Sequence, residues 1–363
     1  MKLNKIILET FLKFKSNFFS VLPLSDLNFI PQNFLVISNT ALGDTLMSLP
    51  AIKSLKLSFP KSTIIALINL KWLPLFEDCP YIDILLPYKK GIKDFFFLIK
   101  KIKDLSPEIA FIFHGNYPED LAFPIFSNIP WIFKIKCKPE YEKFLSYKDV
   151  PTNLHAIEKR IFLVKILGGK KIYKEIDLEY LDKKLKNINL KLPNINKKKL
   201  LIGFQLGASH LSRAWPVENF VELAYMLNKE LECFYVLLGS VEEMFLGEKF
   251  KKLYNKKNYI DLVGKLDILK LAKVIKCLNL LITPDTGPLH LAVGLKTRTI
   301  SLFALSKPSD TGPIQDLHLH KVIFKPEGLK FLKKERKKNT NDAMKLITPK
   351  EVFKSISEFL TFL

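Results

Sequence analysis

The sequence is poor in the residues that bind metals or form disulfides. Its four cysteines lie far apart, and no CxxC motif or cysteine–histidine pair has the spacing of a metal site. Isolated thiols of this kind are typical of a reducing compartment such as the cytosol. We therefore expect buried free thiols at Cys79, Cys137, Cys233 and Cys277, with neither a structural metal nor a disulfide framework.

Long apolar runs are also missing. None reaches the ~18–20 residues that a transmembrane helix needs. In residues 1–22, lysine alternates with leucine, isoleucine and phenylalanine at helical spacing, and no small-residue cleavage site follows, so a signal peptide is not expected. Two interpretations stay open for this segment: a helix packed on the body of the protein, or a basic amphipathic helix on an anionic membrane face.

Acidic residues are scarce relative to basic ones. The chain has 57 lysines and arginines against 36 acidic residues, a formal net charge of +21. Much of the excess is lysine in runs such as 197–199 and 333–338, which are typical of solvated surface, or of a membrane or phosphate-rich partner. A nucleic-acid partner is not predicted, because no helix has a dense arginine face and no Gly/aromatic RNA-binding signature occurs.

Short apolar runs of strand type alternate with amphipathic stretches along most of the chain. With 363 residues, 48% of them hydrophobic, the chain is long enough for two domains. Strands are predicted at 34–38, 62–69, 82–88, 109–115, 200–207, 233–240, 258–265, 278–284 and 297–305. Helices are predicted at 92–105, 152–169, 216–231, 241–255, 267–277 and 349–363. This α/β order predicts two Rossmann-like parallel-sheet domains facing a central cleft, with ligands at the carboxyl ends of the strands.

The composition suggests where these parts begin and end. We expect a basic N-terminal arm over 1–30, a first domain over 31–175, a lysine-rich linker over 176–199 and a second domain over 200–345. The last segment, 346–363, is a helix for which packing back onto the first domain is an option.

Polar residues follow the first strand of the first half. In the stretch 38–44, SNTALGD, Gly43 permits a tight turn and Asp44 stands at the start of a helix. Asp44 is either a helix N-cap or a general base that accepts a proton from an attacking hydroxyl.

A second polar corner follows the first strand of the second half. Here Gly207, Ser209 and the helix that opens at Pro216 offer N–H and hydroxyl donors to an anion, and Arg213 adds a charge that suits two phosphate oxygens. The alternative is a surface loop in which Trp215 is a packing anchor.

The third polar corner is the stretch 284–290, PDTGPLH, between a strand and a helix. Backbone N–H groups near Thr286 and Gly287 and the helix dipole favour a negative ligand there, with His290 about one turn further on. The alternative is that Asp285 caps the helix and His290 belongs to the core. Glu242 and Glu243 follow the predicted strand 233–240. One of them is placed to accept the hydroxyls of a ribose, or the two simply start a solvated helix.

Taken together, these motifs resemble glycosyltransferase family 9, the ADP-heptose:lipopolysaccharide heptosyltransferases of the GT-B fold. The resemblance covers about residues 33–330. It rests on ALGDTLMSLPAIKSLKLSFP (41–60), LGASHLSRAWPVENFVELA (206–224), LVGKLDILKLAKVIKCLNLLITPDTGPLHLAVGL (262–295) and TRTISLF (297–303).

The resemblance implies roles for particular residues. Asp44 matches the family's catalytic base, and the residues that match its donor and phosphate contacts are Ser209, Arg213, Asp285, Thr286, Gly287 and His290. Leu266 and Glu242 fall near the nucleoside pocket, and Asn39, His114 and Asn116 on the acceptor side. Ala208 departs from the pattern, since some relatives have a threonine there, and 114–122 lacks a lysine found in some members.

The resemblance also implies an activity. It is inverting transfer of a heptose from ADP-heptose to the lipopolysaccharide inner core or its lipid A-linked precursor, without a cofactor or a metal. The expected place is the cytoplasm, on the inner face of the cytoplasmic membrane, whose anionic surface is an expected partner. Two alternatives stay open: a related transferase that uses another nucleotide sugar for a surface glycan, and a non-catalytic protein that binds a nucleotide or a glycan.

Overall fold

The chain divides into two compact units, residues 1–176 and 177–363. The computed structural model describes residues 5–15, 18–190, 199–332, 335, 338 and 340–360. Each unit has a parallel sheet and its own hydrophobic core. The expectation of two parallel-sheet α/β domains is therefore confirmed.

The first unit is built on a five-stranded parallel sheet with the strand order β3-β2-β1-β4-β5. The strands are β1 (Asn33–Ser38), β2 (Thr63–Asn69), β3 (Ile84–Tyr88), β4 (Ile109–His114) and β5 (Trp131–Lys134). The helices are α1 (Lys5–Lys15), α2 (Leu42–Leu46), α3 (Leu49–Ser58), α4 (Ile92–Leu105), α5 (Glu119–Phe126) and α6 (Ala156–Ile166). The central strands are buried along nearly their whole length, as their continuous apolar runs predict.

Helices cover both faces of this sheet. Leu35 and Ile37 of β1 share one core cluster with buried residues of α1, α4 and α5. Alternate side chains of β1 point to the other face, and α3 packs against α6. Pro50 lies in the first turn of α3, where a proline is tolerated because the first N–H groups of a helix have no intrahelical acceptor.

The second unit has a six-stranded parallel sheet with the order β11-β10-β9-β6-β7-β8. Its strands are β6 (Leu200–Gln205), β7 (Cys233–Leu238), β8 (Tyr259–Asp261), β9 (Leu280–Pro284), β10 (Thr299–Phe303) and β11 (His320–Phe324). Its helices are α7 (Asp182–Lys186), α8 (Val217–Glu230), α9 (Met244–Leu253), α10 (Ile268–Cys277), α11 (Gly287–Gly294), α12 (Pro308–Thr311) and α13 (Pro349–Leu360). The order places the ends of β6, β9 and β10 side by side.

Two of the expected domain limits need correction. The final helix belongs to the second unit, because Val352, Ile356 and Phe359 of α13 lie in the core of that unit, where α13 contacts α8. The linker expected over 176–199 is partly folded: α7 packs on α10, and Asp182 forms an ion pair with Lys276. The remainder of that linker, 191–198, lies outside the described residues.

The N-terminal arm packs on the first unit through one side of α1. Leu8 and Leu12 are buried in the core, and α1 contacts α5. Within the described residues, no helix is long and apolar enough to cross a membrane. The four cysteines are free, but only Cys79 and Cys233 are buried, so the expectation of burial is wrong for Cys137, which is half-buried, and Cys277, which is exposed.

A buried histidine is expected to make the second unit sensitive to acid. His320 of β11 is 5% exposed and its Nδ1 lies 2.9 Å from Oγ1 of Thr299. Burial lowers the pKa of His320 to about 4; the Asp316 carboxylate opposes this shift and His318 adds to it. In the unfolded chain the ring takes up a proton below pH ~6.5. Between pH ~6.5 and about 4, the unfolded state therefore binds more protons than the folded state.

We expect the free energy of unfolding to fall by up to about 3 kcal/mol from this group as pH drops from about 6.5 to 4. His320→Gln removes the titrating ring and should flatten the dependence. Urea unfolding of both proteins at several pH values in this range measures the effect. Equal pH slopes for the two proteins would contradict the assignment.

Candidate functional site

Asp44 lies in the first turn of α2, directly beyond β1. The N-cap residue of α2 is Ala41, with no side-chain cap hydrogen bond, so the interpretation of Asp44 as the cap is wrong. The Asp44 side chain is 27% exposed, and its backbone carbonyl accepts a hydrogen bond from Ser48 Oγ at 2.9 Å. The carboxylate is therefore available to a ligand while its backbone is fixed.

A buried arginine holds this carboxylate. Arg160 of α6 is 2% exposed, and its Nη2 lies 3.4 Å from Oδ1 of Asp44. Its Nε donates to Ser48 Oγ at 3.1 Å and its Nη1 to the carbonyl of Ala156 at 2.6 Å. Burial lowers the pKa of Arg160, and the Asp44 carboxylate opposes that shift. Sequence reasoning missed Arg160.

His114 approaches Asp44 from the end of β4. Its Nε2 lies 3.4 Å from Oδ1 of Asp44, and its Nδ1 is hydrogen-bonded to Oγ1 of Thr40. Burial lowers the pKa of His114; the Asp44 carboxylate opposes the shift and the Arg160 charge adds to it. The ring is therefore neutral at pH 7, so Arg160 is the cation that contacts Asp44. The structure thus brings the expected base and one expected acceptor-side residue together.

Asp44, His114 and Arg160 border a cavity of about 430 Å³ within the first unit. Tyr117 and Asp120 also line it, and its other cations are Lys134, Lys136, Lys138 and Lys159. A lysine was expected within 114–122 and is missing there, but the cavity receives its lysines from the end of β5 and from α6 instead. Because the four lysines and Arg160 outnumber the carboxylates of Asp44 and Asp120, this lining is suited to an anionic ligand.

The wall of this cavity contains a buried ion pair. Asp120, in the first turn of α5, is fully buried, pairs with Lys134 and accepts a hydrogen bond from the backbone N–H of Leu121 at 2.8 Å. Glycine at 115 is required for this packing, because a Cβ there would lie 2.3 Å from the Asp120 Cβ. Lys134 is therefore fixed in place, and it too was missed from the sequence.

The other two expected acceptor-side residues lie apart from the cavity lining. Asn39 is 1% exposed, and its backbone N–H donates to the His114 carbonyl at 3.3 Å. Asn116 is exposed on the turn before α5. Neither is among the described residues that border the cavity. The structure therefore gives no support to a role for Asn39 or Asn116 in binding the acceptor.

In the second unit, Arg213 and Asp285 form one cluster. Nη1 of Arg213 lies 3.6 Å from Oδ2 of Asp285, whose side chain is only 8% exposed. Asp285 also accepts hydrogen bonds from Ser306 Oγ at 2.5 Å and from Thr311 Oγ1 at 3.4 Å. The guanidinium has five N–H donors, so one contact with Asp285 leaves donors for a ligand.

The start of α11 lies beside this cluster. Its N-cap is Thr286, not Asp285, so the capping role considered for Asp285 is wrong. Thr286 and Gly287 are half-buried. The Gly287 N–H lacks an intrahelical acceptor, Pro288 has no N–H, and the Leu289 N–H donates to the Thr286 carbonyl at 3.0 Å, so the N–H groups open to an anion are those at Thr286 and Gly287. His290 is only 5% exposed, which agrees with the alternative that this histidine belongs to the core.

The loop after β6 combines packing and polar residues. Trp215 is buried, and its Nε1 donates to the Ile347 carbonyl at 2.9 Å, so it is the packing anchor considered above. Its neighbour Arg213 nevertheless points to Asp285. Ser209 is exposed and Ala208 half-buried, so Ser209 is open to a ligand.

Of the two glutamates after β7, the structure turns Glu243 inward. Its carboxylate lies against Gly207, where a Cβ would be 1.9 Å from the Glu243 Cδ, and it accepts from the Ser240 N–H at 2.7 Å. Burial raises the pKa of Glu243, and the Ser240 hydrogen bonds oppose the shift. Glu242, the expected residue, is exposed, and Leu266 is half-buried. Of the two glutamates, Glu243 is therefore the better candidate for contact with the hydroxyls of a ribose.

No group of three or more histidine, cysteine or acidic side chains with the arrangement of a metal site occurs in the described part of the chain.

Comparison with known proteins decides the family. The model of glycosyltransferase family 9 (heptosyltransferase) matches residues 144–340, more than half of the chain. The chain belongs to this family. It is a glycosyltransferase, and the family 9 match includes Arg160 and the whole Arg213–Asp285 cluster.

Individual relatives of this family 9 chain are distant. Lipooligosaccharide heptosyltransferase 2 of Campylobacter jejuni subsp. jejuni serotype O:6 is 24% identical over 326 residues, which cover 89% of this chain and 97% of that protein. A family 9 glycosyl transferase from Veillonella parvula has a TM-score of 0.73 and 21% identity, covering 92% and 98% of the two chains. E. coli ADP-heptose lps heptosyltransferase II has a TM-score of 0.71 and 20% identity, covering 91% and 98%. These structures confirm the GT-B fold.

The position of Arg160 gives a prediction about this family 9 chain. Arg160→Met removes the cation that contacts Asp44, so the carboxylate loses its fixed position, and we expect kcat to fall about 100-fold. Because Arg160 lies in the first unit, the KM for the nucleotide sugar should change little. Arg160→Lys keeps the charge and should recover part of the loss. Steady-state kinetics and thermal unfolding separate this result from misfolding, and an unchanged kcat would contradict the positioning role.

Proposed function

We propose that this chain transfers a heptose from ADP-heptose to the lipopolysaccharide inner core or its lipid A-linked precursor, with inversion at the anomeric carbon. Membership of family 9 supports the reaction class. The E. coli protein of the same fold is named as an ADP-heptose enzyme, which supports the choice of donor. The observation that carries the proposal is the Asp44 carboxylate, held by Arg160 beside a cavity bordered by four lysines.

In the proposed reaction, a hydroxyl oxygen of the acceptor attacks the anomeric carbon of the heptose. Asp44 accepts the hydroxyl proton as the new carbon–oxygen bond forms. The bond between the anomeric carbon and the phosphate oxygen breaks, and ADP leaves with its electron pair. Attack on the face opposite the leaving group inverts the configuration, as in inverting glycosidases that use water.

The second unit is proposed to hold the donor. Arg213 and the N–H groups at the start of α11 would bind the diphosphate and stabilise the charge that develops on ADP. Asp285 orients Arg213 and does not meet the diphosphate itself. Ser209 adds a hydroxyl, His290 supports the corner from the core, and Leu266 and Glu243 serve the nucleoside. Because Arg213 supplies the positive charge, we propose that the chemistry needs no metal or cofactor.

The cavity of the first unit is proposed to hold the acceptor. Lys136, Lys138 and Lys159 border it, and a lipid A-linked core acceptor carries anionic groups that suit such a lining. His114, neutral and close to Asp44, can exchange hydrogen bonds with the reacting hydroxyl. The enzyme would work in the cytoplasm, at the inner face of the cytoplasmic membrane, where a lipid-linked acceptor is reached.

One incubation tests the proposal. Purified protein is mixed with ADP-heptose and truncated lipopolysaccharide cores, and the product is identified by mass and its new linkage by NMR. Addition of one heptose with inverted configuration, also in the presence of a chelator, is the expected result. A parallel panel of other nucleotide sugars separates the alternatives: consumption of a different donor would replace heptose by that sugar, and tight ADP binding without turnover of any donor would favour a binding protein.

A further inference from the structure

Two helices of the first unit are apolar on their outer as well as their inner side. Leu8 and Leu12 of α1 and Phe95, Leu98 and Ile102 of α4 are buried in the core. On their outer sides, Phe11, Phe14, Phe96 and Phe97 are between 53% and 64% exposed, and Phe18, three residues beyond α1, is 75% exposed. Solvated helices normally carry polar residues on that side. Clustered exposed aromatic side chains of this kind mark an interaction site.

The five rings belong to one face of the unit. Both α1 and α4 pack against α5, and buried residues of all three helices share one core cluster. The rings of Phe14 and Phe18 lie 5.4 Å apart, so the aromatic side continues past the end of α1. We call α1, Phe18 and the outer side of α4 the docking surface.

Lysines surround these rings. Together α1 and α4 contain seven lysines and three acidic residues. Lys93, Lys100, Lys101 and Lys103 of α4 are all exposed. The Asp94 carboxylate, in contrast, turns back to its own helix start, where it accepts from the Lys89 N–H at 2.8 Å. The docking surface is therefore both aromatic and positively charged.

We propose that the docking surface lies on an anionic lipid bilayer, with its phenylalanine rings in the interfacial region and its lysines at the headgroups. This combination of apolar and cationic side chains is what a bilayer interface with anionic lipids selects. A second copy of the chain fits less well, because a symmetric contact would bring the same lysines against one another. The charge of the surface therefore favours lipid over self-association.

The helix α5 connects the docking surface with the lysine-bordered cavity. The helix α5, on which α1 and α4 pack, carries Asp120 of the cavity wall in its first turn. Tyr117, which lines the cavity, packs against the core cluster that contains Leu8 and Leu12 of α1. Delivery of a lipid-linked acceptor to the cavity rests on the proposed function, whereas binding to lipid does not.

Sedimentation with vesicles tests the docking surface without any sugar substrate. The full chain is mixed with vesicles of phosphatidylethanolamine and phosphatidylglycerol, and separately with vesicles of phosphatidylcholine alone. We expect salt-sensitive binding to the anionic vesicles only. Phe14→Ser/Phe18→Ser/Phe96→Ser/Phe97→Ser should weaken it at least about 10-fold, since the apolar insertion is lost. Lys100→Glu/Lys101→Glu should also weaken it at least about 10-fold.

Matched substitutions in the second unit serve as controls. Leu317 is 64% exposed, and Lys256 and Lys257 are exposed, so Leu317→Ser and Lys256→Glu/Lys257→Glu should bind vesicles as the parent does. All variants replace exposed side chains and should keep the parent's melting temperature and its turnover of a water-soluble acceptor. Equal loss in the control variants, equal binding to neutral vesicles, or no binding at all would overturn the proposal. The proposal would also be overturned if the parent did not bind vesicles but associated with itself, and the phenylalanine substitutions abolished that self-association.

Discussion

Asp44→Asn is expected to lower kcat by about 10²–10⁴-fold while the affinity for the nucleotide sugar stays close to that of the parent. The substitution keeps the shape of the side chain and its contact with Arg160 but removes the group that accepts the proton. Asp44→Ala should have an equal or larger effect on kcat, because the contact is lost as well. Steady-state kinetics measure kcat, and calorimetric titration with the nucleotide sugar in the absence of acceptor measures its affinity.

The control for this prediction is Asp149→Asn, which alters an exposed aspartate of the same unit. It should leave both quantities unchanged. Near-normal turnover by Asp44→Asn or Asp44→Ala would show that another group takes the proton. The neutral ring of His114, 3.4 Å from Asp44, would then be the first candidate.

Arg213→Ala is the second substitution for which we expect a large effect, a loss of about 10²–10³-fold in kcat/KM. The guanidinium is proposed to bind the diphosphate in the ground state and more strongly as charge develops on the leaving group, so the donor KM should rise and kcat should fall. Arg213→Lys keeps the charge but not the fork of donors, and we expect it to recover only part of the activity. Initial-rate kinetics over a range of donor concentrations give both constants.

Two further variants define the origin of the effect. Arg298 precedes β10 at the amino ends of the strands, so Arg298→Ala removes an arginine from the opposite end of the same sheet and should leave the kinetics unchanged. Asp285→Asn should have a smaller effect than Arg213→Ala, since the arginine stays while its orientation weakens. Unchanged donor KM and kcat in Arg213→Ala would remove this residue from the phosphate site.

Periodicity was sufficient to predict most of the sheet, because buried parallel strands have continuous apolar runs. The two strands that were missed are at the edges. The four residues of β5 follow a turn and end at a lysine, and β11 has four positions that are exposed or half-buried. An edge strand has fewer buried positions, so its pattern is weaker than that of a central strand.

The polar corners were also visible in the sequence, but the contacts that position them were not. Asp44 and Arg160 are 116 residues apart, and spacing cannot show which helix approaches a given strand end. A signal did exist: Arg160 lies in the apolar stripe formed by Ile157, Ile161 and Val164 of α6. A charged residue in such a stripe needs a buried partner, which makes it a candidate for a site.

The Asp285 carboxylate joins segments that follow three neighbouring strands: Arg213 after β6, Asp285 itself after β9, and Ser306 and Thr311 after β10. The ion pair and the two hydrogen bonds hold these groups in place relative to one another. The entropy of arranging them is then part of the folding free energy and does not oppose binding. An anion that enters this corner meets a rigid receptor, so its affinity and its association rate should depend little on rearrangement of the protein.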